Sequence, residues 1–402
     1  MRTALLSAVE RTETGELRAG LLLGGRSVLD WQGEYARILG CERIICLCDT
    51  PGSQVLDLQR SFEGSGGEFH AVRGNMQIVS LVRADDELVM MRDGLVVDVD
   101  LLSDWIGPEG KLRKAIATLP AKNAMVEAQP AEFERIDRER HWAGLAAFSA
   151  SKVHKLADMP PDGDAMSMLL RLALQSQVVC QELTADTLQN SNWLIASGGQ
   201  ALASREQILL DQHAPRAHWL GPGRSISAAI VRRIAPRGLE NGGNLSAGIA
   251  AVLMAGAIGL AGIGQAAASL GTGALGVLAL AFGGHFSMMR SALWSKPVGR
   301  IWQLTPDYLV EGLVLGILLY CSYLLGVSAT ELTLPIAAVG VSHYLGFRRS
   351  NSMSAFWSDR TTHLAGFALA AATGVLPEAV AVFTLAAIID LLVPRANSQN
   401  DV

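Results

Sequence analysis

Residues Gly242 to Gly284 read GGNLSAGIAAVLMAGAIGLAGIGQAAASLGTGALGVLALAFGG, and none of these 43 positions is Asp, Glu, Lys or Arg. A single helix needs about 20 apolar residues to cross a hydrocarbon layer of roughly 30 Å. The run has about twice that length. It therefore predicts two membrane-spanning helices, divided near Gly264 and Gln265.

Four shorter apolar segments follow this run. They are Tyr308–Ser328, Leu332–Phe347, His363–Leu376 and Val380–Val393. Together the segments predict a C-terminal all-α membrane domain with six transmembrane helices over residues 242–395, followed by a polar tail at 396–402.

The positions of Lys and Arg predict how these spans are oriented. Basic residues lie before the first span, in the loops after the second and fourth, and after the sixth, whereas the other loops carry only Glu331 and Glu378. Because basic loops stay on the cytoplasmic side, we expect a multi-pass protein of the inner (cytoplasmic) membrane with both termini in the cytoplasm.

The segment before the first span is basic and amphipathic. Residues Leu220 to Gly238 read LGPGRSISAAIVRRIAPRG, with Ile226, Ile230 and Ile234 on one side of a helix and arginines around it. Such a helix lies along an anionic leaflet. We expect residues 216–241 to form a juxtamembrane linker built on this helix.

Residues 1–215 have a different pattern, in which short apolar strands alternate with amphipathic helices. The predicted strands are Glu42–Cys48, Gly67–Val72, Glu87–Met91 and Ala124–Ala128, and the predicted helices include Val28–Gly40 and Ser53–Gly64. This alternation predicts an α/β domain with a largely parallel sheet. Ligands bind beyond the carboxyl ends of the strands in such sheets, which makes Asp93 a candidate binding residue.

Two further polar features in this domain have open interpretations. Asp164 precedes an apolar helix, so it is either an N-cap or a metal ligand. Residues Phe133 to Trp142, FERIDRERHW, either line a polar pocket or form a solvated charged face.

Composition limits the classes of function. The 402 residues carry a formal net charge of −5, which argues against nucleic acid as a partner because phosphate binding requires a basic surface. The five cysteines are too scattered for a disulfide framework, so we interpret them as reduced packing residues. They are Cys41, Cys46, Cys48, Cys180 and Cys321.

The loop after the second span resembles the signature of the CDP-alcohol phosphatidyltransferases. It reads FGGHFSMMRSALWSKPVGRIWQLTPD from Phe282 to Asp307 and keeps the Arg, Gly and Asp of that signature at Arg290, Gly299 and Asp307. Three metal-binding Asp positions of the family are replaced, and its Gly and Ala are also changed. The replacements are Phe282, His285 and Gln303 for Asp, Phe286 for Gly and Met289 for Ala.

This resemblance implies transfer of a phosphoalcohol from a CDP-alcohol to an acceptor hydroxyl, with Mg²⁺ or Mn²⁺ as cofactor if the chain is active and none otherwise. Of the residues kept from the signature, Arg290 and Asp307 are the implied catalytic residues, and Asp307 is an implied metal ligand. His285 and Glu311 are candidates to form a different catalytic or metal site with Asp307. The basic residues Lys296 and Arg300 are candidates for binding an anionic substrate. The family also implies a membrane lipid as partner and a homodimer.

The first domain resembles sugar-nucleotide or MobA-like nucleotidyltransferases. The resemblance lies in GGRSVLDWQ, the helix and GCERIICLC that follow it, and the later DELVMMRDG. It implies CTP or a CDP-alcohol as ligand, with Arg26, Asp93 and Asp164 as binding residues. The segment SAVERTETGELRAG departs from the family's Gly-rich signature, and Arg11, Arg18 and Arg26 are its nearest cations.

Three hypotheses follow. In the first, the chain resembles fusions of an inositol-phosphate cytidylyltransferase with a phosphatidyltransferase, and it acts in phospholipid or sphingolipid head-group metabolism, here as a catalytically degenerate relative. In the second, it is a non-catalytic membrane scaffold or a lipid- or nucleotide-binding partner. In the third, it is a small transporter, with which six spans are compatible.

Overall fold

The computed structural model describes residues 1–160, 163–185, 187–188, 191–213, 219–238, 241–294, 307–328, 332–348 and 352–392. The chain divides into two compact units, Met1–Ile208 and Leu209–Val402. The predicted polar tail at 396–402 lies outside the described residues.

The first unit is built on a seven-stranded sheet. Its strands, with four short ones outside the sheet, are β1 (Arg2–Ser7), β2 (Leu22–Leu23), β3 (Arg26–Ser27), β4 (Arg43–Leu47), β5 (Glu68–Val72), β6 (Glu87–Met91), β7 (Leu95–Val97), β8 (Ala115–Pro120), β9 (Arg140–Ser149), β10 (Val179–Glu182) and β11 (Trp193–Ile195). The sheet order is β10-β8-β9-β6-β1-β4-β5. Only β9 runs antiparallel to its neighbours, so the sheet is largely parallel, as predicted.

Helices cover this sheet. They are α1 (Val28–Ile38), α2 (Ser53–Glu63), α3 (Asn75–Leu81), α4 (Val99–Leu102), α5 (Ala124–Ala128), α6 (Ala165–Gln175) and α7 (Gly199–His213), the last of which extends into the second unit. A buried cluster that includes Leu5, Ile45 and Leu169 fills the space between one face of the sheet and helices α3 and α6.

The strand predicted at Ala124–Ala128 is wrong, because these residues form α5. The side chain of Asn123 accepts a hydrogen bond from Met125 N at 2.9 Å, which caps the helix. The strands of the sheet that the prediction does not list are β1, β8, β9 and β10. Strand β9 begins inside the charged segment Phe133–Trp142, where Arg140 pairs with Asp137 on the surface.

The second unit is helical. Its elements are α8 (Pro222–Gly238), α9 (Gly242–Gly262), α10 (Ala266–Trp294), α11 (Asp307–Leu324), α12 (Thr333–Arg348), α13 (Ser352–Trp357), α14 (Arg360–Ala372) and α15 (Leu376–Leu392). Helix α10 is central, because it packs against α8, α9, α11 and α14. A cluster that includes Leu270, Leu318 and Leu364 forms the core.

Two of the described helices are long and apolar enough to cross a membrane, Gly242–Gly262 and Ala266–Ser291. They coincide with the charge-free run. The other four predicted spans are also helical, but α11, α12, α14 and α15 have 18, 16, 13 and 17 residues, fewer than the roughly 20 that a crossing needs. The count of six spans therefore stays a prediction.

We expect Gly33→Val to destabilise the first unit by about 1–3 kcal/mol. A Cβ atom at Gly33 would lie 2.2 Å from Leu58 Cδ1, and Leu58 is fully buried on α2. The measurement is the urea dependence of thiol labelling at Cys46, which is buried in β4 and reacts only when the unit opens.

The matched control is Gly199→Val, since a Cβ atom at Gly199 meets nothing within 4 Å. Equal labelling midpoints for the parent and for Gly33→Val would contradict tight packing of α1 on α2.

Candidate functional site

Asp93 lies at the carboxyl edge of the first unit's sheet, where parallel strands β1 and β6 end side by side. Its side chain is 1% exposed, and its Oδ2 accepts hydrogen bonds from Val9 N at 2.9 Å and Glu10 N at 2.8 Å. Burial raises the pKa of Asp93 to about 7. Asp93 thus holds the loop that follows β1.

The arginines beside this loop are already paired. Arg18 contacts Glu10 at 3.0 Å and binds both carboxylate oxygens of Glu132. Arg92 contacts the other oxygen of Glu10 at 3.2 Å and donates to the carbonyl of Glu132. Two cations that would suit a polyphosphate are therefore neutralised by the protein's own carboxylates.

The other predicted binding residues of this unit lie on separate elements. Asp164 caps α6, where its carboxylate accepts from Met166 N at 3.2 Å and Ser167 N at 3.1 Å. Arg26 is 8% exposed, and its guanidinium carbon lies 5.3 Å from the centroid of the Trp31 ring. Capping and packing account for these two side chains.

A concave site lies within the second unit. It is a cavity of about 630 Å³ between helices α8, α10, α11, α12 and α14. Its lining along α10 is mainly apolar, with His285 and Ser287 as the polar residues, and the other helices contribute both polar and apolar side chains. The charged and imidazole side chains in the lining are Arg224, His285, Glu311, His343, Asp359 and Arg360.

Glu311 and Arg360 form the charged centre of this cavity. Arg360 Nε donates to Glu311 Oε1 at 2.7 Å, and His343 Nδ1 contacts the same oxygen at 3.1 Å. The other oxygen, Oε2, is buried and has no hydrogen-bond partner among the described residues. Arg360 itself is 6% exposed and also donates from Nη1 to Ser342 Oγ at 2.8 Å.

Asp359 is the second carboxylate in the lining, and it is fully buried. It accepts from Gly223 N at 2.7 Å and from Thr362 Oγ1 at 2.7 Å. It therefore ties the first turn of α8 to that of α14. Arg224, the next residue of α8, donates to Ser358 Oγ at 2.9 Å and pairs with no carboxylate among the described residues.

The cavity brings together some of the residues predicted from the sequence. His285 and Glu311 line it, while the Arg290 guanidinium carbon lies 5.9 Å from the Trp294 ring centroid further along α10. Lys296 and Arg300 lie outside the described residues. Asp307 begins α11, but its side chain is also outside them.

Sequence reasoning missed Arg360 and Asp359 as cavity residues. Arg360 was counted only as a basic residue in the loop after the fourth span. The available signal was the pair Asp359–Arg360 directly before an apolar segment, a pattern typical of a helix N-terminus with a capping carboxylate.

The described lining does not fit the divalent cations that the sequence resemblance implies. Among the described residues, no group of three His, Cys, Asp or Glu is arranged to hold a metal ion. Oε1 of Glu311 is occupied by the Arg360 guanidinium, whose positive charge opposes a nearby cation.

No protein-family model matches this chain, and no curated protein matches it. One similar solved structure is described as the crystal structure of UDP-glucose pyrophosphorylase complexed with UDP-glucose. The identity is 9% and the TM-score 0.37, with 53% of this chain and 99% of that chain covered. The α/β assignment of the first unit rests on its own sheet.

We expect the stability of the first unit to fall as pH rises from about 4 to about 7, because of Asp93. The carboxyl has a pKa of 3.8 in the unfolded chain and about 7 in the folded one. In that window the folded state keeps a proton that the unfolded state has released, which costs up to about 1.4 kcal/mol per pH unit. The loss is complete above pH 7.

Asp93→Asn removes this titration and keeps an oxygen that can accept both N–H groups. The variant should therefore exceed the parent in stability by roughly 2–4 kcal/mol at pH 8 and lose that advantage near pH 4. The urea dependence of tryptophan fluorescence of both proteins at each pH measures the difference, because thiol labelling is too slow at pH 4. Asp57→Asn on the exposed face of α2 is the control. Parallel pH profiles for parent and Asp93→Asn would show that Asp93 does not titrate in this range.

Proposed function

We propose that this chain is a membrane protein of phospholipid or sphingolipid head-group metabolism that binds a phosphate-bearing head group in the cavity of its second unit. The observation that carries the proposal is the charge of that cavity. Glu311 is held by Arg360 through Oε1, while its Oε2 has no partner among the described residues. Asp359 accepts from the Gly223 N–H, whereas Arg224 pairs with no carboxylate among those residues. The positive charge of Arg224 is therefore available to a ligand, and it favours an anionic one.

A membrane location is supported by two kinds of exposed apolar surface. The first is α9, an apolar helix of sufficient length whose side chains Leu245, Ile249 and Val252 are exposed. The second is the stripe Ile226, Ile230 and Ile234 on α8, which is between 39% and 52% exposed. Lipid would cover both surfaces. We keep the proposal of an inner-membrane protein with cytoplasmic termini, on the distribution of Lys and Arg.

We propose further that the chain does not carry out the metal-dependent transfer of the CDP-alcohol phosphatidyltransferases. Phe282, His285 and Gln303 stand where that family has Asp. Hard divalent cations prefer carboxylate oxygens, and Glu311, a carboxylate of the cavity lining, is held by Arg360.

The first unit fits a structural or binding role in the same proposal. Arg18 and Arg92 are paired with Glu10 and Glu132. A nucleoside triphosphate would have to displace these carboxylates before it could use either arginine. A homodimer remains a prediction from the sequence resemblance.

Head-group binding is tested with the full chain in detergent and glycerol 3-phosphate as the probe, by titration calorimetry. Arg224→Gln should weaken binding about three- to tenfold, the loss of one charge-assisted contact at an exposed site. Arg233→Gln is the matched control, because it lies on the same helix outside the cavity lining.

Glu311→Gln tests whether the cavity binds an anion directly or through a bound cation. Removal of its negative charge should leave glycerol 3-phosphate affinity unchanged or higher if the cavity binds anions. Weaker binding that is restored by added Mg²⁺ or Mn²⁺ would contradict the proposal.

The catalytic alternative has its own assay. With Mg²⁺ or Mn²⁺ and either CTP or CDP-alcohols, we expect the purified protein to release neither pyrophosphate nor CMP. Turnover that disappears in Asp307→Asn would establish an active enzyme and overturn the degenerate assignment.

A further inference from the structure

His285 is held by a short chain of hydrogen bonds that fixes its protonation. Ser227 Oγ lies 2.8 Å from the carbonyl oxygen of Arg224 and 3.0 Å from His285 Nδ1, and Ser227 is fully buried. A carbonyl oxygen can only accept, so the single hydroxyl hydrogen of Ser227 points to Arg224. Nδ1 of His285 must then carry a hydrogen and donate it to Ser227 Oγ.

A neutral imidazole with its hydrogen on Nδ1 has a bare lone pair on Nε2. No described residue donates to that atom, and His285 lines the cavity. The cavity therefore contains a hydrogen-bond acceptor that its own described residues do not use.

His343 repeats this arrangement on α12. Its Nδ1 lies 3.1 Å from Glu311 Oε1, an oxygen that also accepts from Arg360. A carboxylate oxygen without a hydrogen can only accept, so Nδ1 of His343 donates and Nε2 is left as an acceptor in the neutral ring. His343 also lines the cavity.

We propose that His285, supported by His343, selects head groups that carry a hydroxyl or primary ammonium donor close to the phosphate. This inference rests on the proposed function: Arg224 supplies the contact to the phosphate, and His285 Nε2 accepts from the donor group. Ser227 is a positioning residue, because it acts only by keeping the hydrogen on Nδ1.

Phosphoethanolamine and phosphocholine are the matched probes, because both combine a phosphate with a positively charged nitrogen and only the first has N–H donors. Binding to the full chain in detergent is measured by titration calorimetry, with methyl phosphate as a probe of the phosphate contact alone. The parent should prefer phosphoethanolamine by about fivefold or more. Equal affinities would overturn the inference and leave the proposed function in place.

His285→Phe should abolish this preference and keep the affinity for methyl phosphate. Ser227→Ala should reduce the preference, and Ser269→Ala on α10 is its control, since that buried serine also donates to a carbonyl oxygen, that of Ala257. A preference that survives His285→Phe would overturn the inference. If methyl phosphate does not bind the parent, the proposed function fails, and the inference with it.

The tautomer is measured without any ligand. Side-chain ¹⁵N spectra of the full chain with labelled histidine should show His285 with a protonated Nδ1 and a bare Nε2, with assignment by His285→Phe. A proton on Nε2 of His285 at neutral pH would overturn the inference whatever the binding data show.

A last comparison distinguishes a lipid head group from a free phosphoester. The affinities of the chain for short-chain phosphatidylethanolamine and phosphatidylcholine are compared in the same way. A preference of about fivefold or more in the lipid pair indicates a lipid head group as the ligand, and one confined to the free pair indicates a soluble phosphoester. Absence of preference in both pairs overturns the inference.

Discussion

The second unit depends on the pairing of one buried arginine. Arg360 is 6% exposed, and its guanidinium contacts Glu311 on α11, Ser342 on α12 and the carbonyl oxygen of Trp357 on α13. A buried charge without partners is so unfavourable that the four helices must keep these contacts. One side chain at the first turn of α14 therefore fixes where α11, α12 and α13 lie around the cavity.

The same constraint explains the first unit's polar edge. Arg18 and Arg92 share Glu10 and Glu132, and the buried carboxyl of Asp93 accepts two backbone N–H groups of the loop after β1. These groups pair with one another inside the protein, and only Oδ1 of Asp93 has no partner among the described residues of this edge. A site that must bind a polyphosphate would instead leave its cations available to the ligand. Among the described residues, Asp93, Asp164 and Glu311 were suggested for chemistry by the sequence, and each makes hydrogen bonds within its own unit.

The sequence predicted what depends on local pattern. Strands β4, β5 and β6 and helices α1 and α2 lie within two residues of their predicted bounds, because apolar periodicity and caps are local. The prediction was wrong at Ala124–Ala128, because five residues are too few for their hydrophobic period to distinguish a strand from a helix. The structure has a helix there, which the side chain of Asn123 caps. Strand β9 was not predicted, because its first residues belong to a charged segment.

The cavity could be predicted only in part, because its contacts join residues far apart in the chain. His285 was found from its place in a degenerate signature, but the residue that fixes its tautomer, Ser227, is 58 positions away. The sequence identifies Arg360 as a basic residue near the membrane. It does not identify its partner, Glu311, which is 49 positions away. Charge patterning gives the side of a membrane on which an arginine lies, but it does not indicate which carboxylate the arginine meets.

The replacement of a carboxylate by an imidazole at position 285 changes what the cavity can bind. A carboxylate there would add a negative charge near Arg224 and neutralise it, which would make the arginine less available to an anion. A neutral imidazole adds no charge and keeps one acceptor atom, so the positive charge of Arg224 remains available to an anion. The nearby carboxylate of Glu311 does not reverse this balance, because Arg360 neutralises it at 2.7 Å. A ligand that joins an anion to a hydrogen-bond donor satisfies Arg224 and His285 together, whereas a bare divalent cation would face an arginine on either side.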